Sequence, residues 1–266
     1  MPRSLPFQSV GLRCLLVAIV AATAAPAVAP AADPAAPAAD VEAGRPDAHP
    51  ELRRLSQTDA IWLDLPGKRV VVGGKIAIDE GEIEVFACPK GSKEHEAIVA
   101  TLCPARLVHA GLLAIGLEPG NPVSFDPAYV PAKGPKVSVL VRWQDGAGQW
   151  QERRAQELIR NTKTGEPLTA DWVFAGSGFW RDPADGTDYY QADGGDMICV
   201  SNFPGAMLDL PIESSDANEA LLFQAFEGRV PPPGTAVELI LAPVKAPGAA
   251  PVTAPVTTPD PGGPRR

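Results

Sequence analysis

The sequence predicts an α+β domain, a mainly antiparallel sheet with two helices over about residues 104–115 and 216–227, in one unit spanning residues 52–243. Three observations lead there. Short β-branched runs bounded by Gly, Pro and Asp recur along the middle of the chain. Two segments set apolar residues at helical spacing behind capping residues. Between Ala/Pro-rich ends lie about 190 residues of ordinary globular composition, enough for one sizeable core.

Residues 1–31 read as a secretory signal peptide. Arg3 and Arg13 give a basic start, and Cys14–Ala25 (CLLVAIVAATAA) is an apolar run too short to span a bilayer. Small-x-small cleavage options follow at Ala22-Thr23-Ala24 and Ala29-Pro30-Ala31. Arg13 before Cys14 argues against a lipoprotein. The mature protein is thus expected to be exported, periplasmic or extracellular, with no stable membrane insertion after cleavage. Residues 32–51 and 244–266 are Ala/Pro-rich and lack aromatic side chains, so they bury too little area to offset ordering entropy and are expected to be disordered. His49, at the end of the first of these segments, is set aside on that ground.

Within the domain, Lys68–Val72, Lys75–Ile78 and Ile83–Cys88 read as strands separated by Gly73-Gly74 and by the acidic turn Asp79–Glu82. Pro104–Ile115 reads as a helix, with proline in its first turn and Gly116 at its end. Val137–Gln144 alternates strictly, and Asp145-Gly146 turns it into a partner around Gln149–Leu158. Trp172–Trp180 and Tyr189–Asn202 read as a further pair joined by the turn DPADGTD. Ser214-Ser215 can cap a helix over Asp216–Glu227, with Ala220, Leu221, Phe223, Ala225 and Phe226 on a broad apolar face. A last strand, Ala236–Ala242, stops at Pro243.

Removal of the signal segment takes two arginines and no acid, moving the formal charge from −9 to −11. No basic patch remains to hold a polyphosphate backbone, so nucleic acid is excluded as a partner. The chemistry worth weighing concentrates in CPKGSKEHEAIVATLCPARLVHAG, Cys88 to Gly111. Its spacing, Cys88-x6-His95-x7-Cys103-x5-His109, lacks the close ligand pairs of a zinc finger. Three readings stay open: a metal site assembled from separate elements, a disulfide among Cys88, Cys103 and Cys199, or free buried thiols. Three scattered thiols in the mature chain cannot hold an iron–sulfur cluster. Around Ser177 the G-x-S-x-G register fails, because Ala175 and Phe179 stand where glycine belongs, so a bend in a strand is the better account. Asp193 and Asp196 abut the apolar run Met197–Val200 and could either form a turn or line a cleft.

FACPKGSKEHE, HAGLLAIGLEPG, WVFAGSGFW and YYQADGGDMICVSNFPGAMLDLPIESS together resemble the YdjY-domain family of exported bacterial proteins, from about Ile61 to Pro243. The most widely shared pattern is carried here by Lys93, His95, Glu96, His109, Ala110, Leu112, Leu113, Gly116, Pro119 and Gly120. The resemblance implies no reaction, substrate or cofactor. It does raise His95, Glu96 and His109 above the other polar residues, and Cys88 and Cys199 fall in the resembling stretches while Cys103 lies outside the shared pattern. The leading expectation is therefore a metal- or redox-linked binding protein. Its site would be built from His95, Glu96 and His109 with Cys88, Cys199, Asp193 and Asp196, and Cys88 and Cys199 are candidates for a disulfide. Imidazole and thiolate would suit zinc or copper. The alternative is a non-catalytic envelope interaction or structural module in which the same residues form a buried polar latch. An enzyme using Glu96 and a histidine as an acid–base pair is the third reading.

Overall fold

A computed structural model describes residues 48–213 and 221–244. In chain order it opens with β1 (Arg53–Arg54), β2 (Ile61–Asp64), β3 (Arg69–Ile76), β4 (Val85–Pro89), β5 (Ala97–Thr101) and helix α1 (Ala105–Ala114). Then come β6 (Lys136–Gln144), β7 (Trp150–Arg154), β8 (Ile159–Asn161), β9 (Trp172–Phe174), β10 (Phe179–Arg181) and β11 (Asp188–Tyr190). The short β12 (Ile198–Cys199), β13 (Leu208–Asp209) and β14 (Phe223–Ala225) precede the long β15 (Ala236–Pro243).

The strands β3-β15-β6-β9-β13-β12-β4-β5 are hydrogen-bonded in that order, and β5 pairs back onto β3. That last ladder, Gly74 opposite Thr101 and Ile76 opposite Val99, closes a ring of eight strands. The ring is mixed, since β12 runs parallel to β13 and β4 parallel to β5. The structure is therefore a mostly β barrel, which corrects the predicted α+β domain with a mainly antiparallel sheet and two helices.

The alternation in β6 works as the sequence predicts. Val137, Val139, Val141 and Trp143 point into the barrel, and Val237, Leu239 and Leu241 of β15 meet them there. Phe86, Trp172 and Phe174 fill the same core, and the buried Trp172 indole donates to the Cys199 carbonyl at 2.7 Å. Gly73-Gly74 does not break the chain into two strands. β3 pairs β15 from Val70 to Lys75 on one side, while on the other it pairs β2 first and β5 from Gly74 onward. A Cβ on Gly74 would sit 2.9 Å from the Ala100 carbonyl oxygen, so glycine here allows the close approach that shuts the ring.

Helix α1 falls inside the predicted range and packs Ala105, Val108 and Leu112 against Leu63 and Val70. Burying each of the two larger side chains contributes roughly 2 kcal/mol. The second predicted helix is not formed where the chain is described. Residues 216–220 lie outside the described residues, and Phe223–Ala225 is strand, paired with β8. Phe223 and Ala225 are buried while Gln224 between them is not, and Ile83 N and Ala225 N exchange backbone hydrogen bonds with Phe223 O and Gly81 O. Ladders on both sides outweigh the helical pattern of the apolar residues.

Candidate polar site

β4 ends at Pro89, and the turn that follows is pinned by Ser92, whose backbone N–H and hydroxyl both donate to the Pro89 carbonyl. A single 3-10 turn, Glu94–Glu96, leads into β5. This path points Lys93 inward and His95 out to solvent, its side chain 78% exposed. Lys93 Nζ lies 3.3 Å from Glu96 Oε1, 3.3 Å from Asp196 Oδ1 and 3.5 Å from Glu84 Oε2. The ammonium also stands 4.3 Å from the Phe203 ring centroid. The contact to Asp196 Oδ1 is an ion pair without hydrogen-bond geometry. Gly195, at φ 136°, lets the Asp196 loop close over the lysine, since a Cβ there would fall 2.5 Å from Lys93 Cγ.

One ammonium thus sits among three carboxylates. Burial works against the charge of Lys93, but Asp196 and then Glu96 outweigh it and raise its pKa. Burial, reinforced by the charge of Glu96, raises the Glu84 carboxyl, and Lys93 opposes that rise. Cys88, Cys199, Val85, Ala97 and Ala206 form a small apolar cluster beside this group. All three described thiols are free and buried, and burial above all pushes each of them up, so none is held as a reactive thiolate. Across the β12–β4 ladder the register shifts after Ile198, so Cys199 lies opposite Val85, three residues before Cys88.

His109 belongs to a different group, on α1. The Tyr190 hydroxyl donates to the Gly176 carbonyl at 3.0 Å, so His109 Nδ1–H donates to the Tyr190 oxygen at 2.8 Å. Phe174 and Tyr190 pack edge-on against the imidazole. Burial lowers the His109 pKa against a smaller opposing effect of Gly176, and burial pushes the Tyr190 phenol up, so the pair is neutral. Asp193 accepts from Arg106 N at 3.0 Å and pairs with the Arg106 guanidinium, which caps the first turn of α1 from a distant segment.

One segment therefore makes all three attachments at every third residue: Tyr190 to His109, Asp193 to Arg106 and Asp196 to Lys93. Of the sequence-predicted site residues, Glu96, Asp196, Cys88 and Cys199 gather around Lys93. His95 meets Glu96 Oε2 at 3.9 Å from the solvent side, while His109 and Asp193 lie elsewhere. Among the described residues no three His, Cys, Asp or Glu side chains are placed to hold a metal ion. Ser177, at φ 59°, forms the bend expected of it; its hydroxyl donates to Gly205 O and accepts from Ala192 N, so it is held by backbone on both sides.

A family model described as the YdjY domain matches residues 61–242. The chain belongs to the YdjY-domain family. No curated protein and no solved structure matches it. Within the YdjY domain, Lys93 and Asp209 matter more than their sequence positions suggest. Lys93 was visible only as one member of the shared pattern, and Asp209 carried no signal in LDLP, an apolar setting that reads as plain strand. Asp209 is fully buried on β13; its Oδ1 accepts from Asn202 Nδ2 and Leu210 N, and its Oδ2 has no partner. Just outside the YdjY match, His49 is 7% exposed and hydrogen-bonds Glu238 at 2.7 Å, with Arg142 on the other carboxylate oxygen. Among the described residues, no helix is long and apolar enough to cross a membrane.

Proposed function

We propose that this YdjY domain is a non-catalytic interaction or structural module of the cell envelope, exported as its N-terminal segment predicts. Its shared polar residues Lys93, Glu96 and His109, with Arg106, act as a latch that mounts segment 190–196 rigidly on the barrel. The observation that carries this reading is the pairing of those residues with one another. Lys93 is enclosed by Glu84, Glu96 and Asp196, His109 by Tyr190, and Asp193 by Arg106. Of the shared polar residues His95 alone faces solvent, with Glu96 Oε2 3.9 Å from its ring.

Lys93→Met should lower unfolding free energy by roughly 2–3 kcal/mol, because it leaves the carboxylates facing one another without their cation. His109→Ala should cost about 1–2 kcal/mol by orphaning the Tyr190 bond. His95→Ala should be close to neutral. Zinc or copper added to chelator-treated protein should leave the thermal unfolding of parent and variants unchanged. Stoichiometric binding of either ion, abolished by His95→Ala or His109→Ala, would refute the latch and restore a metal-binding reading.

A further inference from the structure

The β10–β11 hairpin carries a feature that the latch leaves unused. Trp180 and Tyr189 face each other across the ladder, their ring centroids 5.8 Å apart and their planes inclined by 35°. Each is 49% exposed. Large side chains left in water as a contiguous pair mark a contact surface more often than chance exposure does. The hairpin that holds them is stiff. Asp182 N donates to Thr187 O and Gly186 N to Asp182 O, while the Asp182 and Asp185 carboxylates accept from Ala184 N and Thr187 N. At its other end Phe179 packs on Tyr190, whose hydroxyl is fixed by His109 and Gly176.

The two rings form one wall of an open cleft of about 770 Å³, which lies within the size range of small-ligand sites. Gln191, Asp193 and Asp196 line the rest of it together with small residues such as Gly205. Gln191 is exposed and offers both an amide donor and a carbonyl acceptor. The two carboxylates bring acceptors; Asp193 is paired with Arg106, and Asp196 shares Lys93 with Glu84 and Glu96. The cleft therefore combines a pair of half-exposed aromatic rings with an amide and carboxylate acceptors already engaged with cations of the protein. Those are the two requirements of a pyranose, whose C–H face stacks on aromatic rings and whose hydroxyls take fixed donors and acceptors.

We infer that this cleft binds neutral carbohydrate, with Trp180 and Tyr189 as the stacking platform and Gln191, Asp193 and Asp196 as hydroxyl partners. This goes beyond the envelope-module reading and rests on it only in that the latch holds the platform's mount. Titration of the full chain with chitotetraose and with cellotetraose, followed by heteronuclear NMR, tests it. At least one sugar should give saturable shifts at the Trp180 indole and Gln191 side-chain amide. Affinity should fall about tenfold or more in Trp180→Ala, while thermal unfolding falls only slightly, because half of the side chain is already in water. Gln191→Ala should weaken binding in the same sense.

Three outcomes overturn the inference: no saturable shift with either tetrasaccharide at millimolar concentration, shifts that survive Trp180→Ala, or shifts produced by tetralysine and not by the sugars. The metal titration uses different variants and a different readout, so failure of the latch and failure of the sugar site are separately visible.

Discussion

Asp209 is a carboxyl group enclosed in protein with one oxygen unpaired, and burial raises its pKa to about 7 against the opposing bonds from Asn202 and Leu210. An ordinary aspartate titrates near 3.9. Because the folded state holds the proton more tightly than the unfolded state, the stability it contributes is complete below about pH 4 and is lost as pH rises through about 7. Asp209→Asn should therefore flatten the pH dependence of stability across that window. Above pH 7 the variant should exceed the parent by roughly 1–3 kcal/mol, since no buried charge remains to be desolvated. Denaturant unfolding at pH 5 and pH 8 measures this, and parallel pH profiles for both proteins would count against it. The residue-level signals in the sequence were uneven for a physical reason. Residue type marked His109, Glu96 and Asp196 as worth following, but burial decided what each does, and burial depends on neighbours far along the chain. Lys93, whose three acidic partners come from positions 84, 96 and 196, reads locally as one more surface lysine.

At the scale of elements, patterns held where one face of the element is buried and the other is not. β6 alternates in sequence and in space, and α1 lies where Pro104 and Gly116 bound it. The pattern over residues 216–227 misled because Leu221, Phe223, Ala225 and Phe226 suit either period over so short a run. Pairing with β8 and the backbone bonds around Gly81 decide for strand in its second half. Gly73-Gly74 misled in the opposite sense, since a glycine pair reads as a turn unless another strand needs the space. Gly74→Ala should push its Cβ against the Ala100 carbonyl and cost roughly 1–3 kcal/mol. Equilibrium unfolding checks that figure, and faster hydrogen exchange at Ala77 and Leu102, whose amides donate across the β3–β5 closure to Ile98 O and Gly73 O, would localise the damage there. A variant as stable as the parent would show that β5 can give way.

For the whole molecule, a long-range polar tie joins the first described residues to the last strand. His49, set aside as part of an Ala/Pro-rich segment, donates to Glu238 across 189 residues while Arg142 holds the same carboxylate. The bond to Glu238 raises the His49 pKa against burial, and burial of Glu238 is outweighed by His49 and Arg142, which lower its pKa. The histidine's contribution is full below its ordinary pKa of 6.5 and lost as pH rises through the raised value. The glutamate's is full above its ordinary 4.5 and lost as pH falls through the lowered one. His49→Ala should therefore cost most between about pH 4.5 and 6.5, by about 1–3 kcal/mol, in thermal or denaturant unfolding. A deficit that did not vary with pH would assign the loss to packing against Trp62 instead. The chain's own order of residues was enough to establish its family, the position of α1, the alternating strands and the bend at Ser177, because each depends on residues near one another in sequence. Ring closure, the parallel pairs β12–β13 and β4–β5, and the sorting of the polar residues into separate locks emerged only in three dimensions. Each of these depends on register between strands distant along the chain, and local periodicity carries no information about register at that distance.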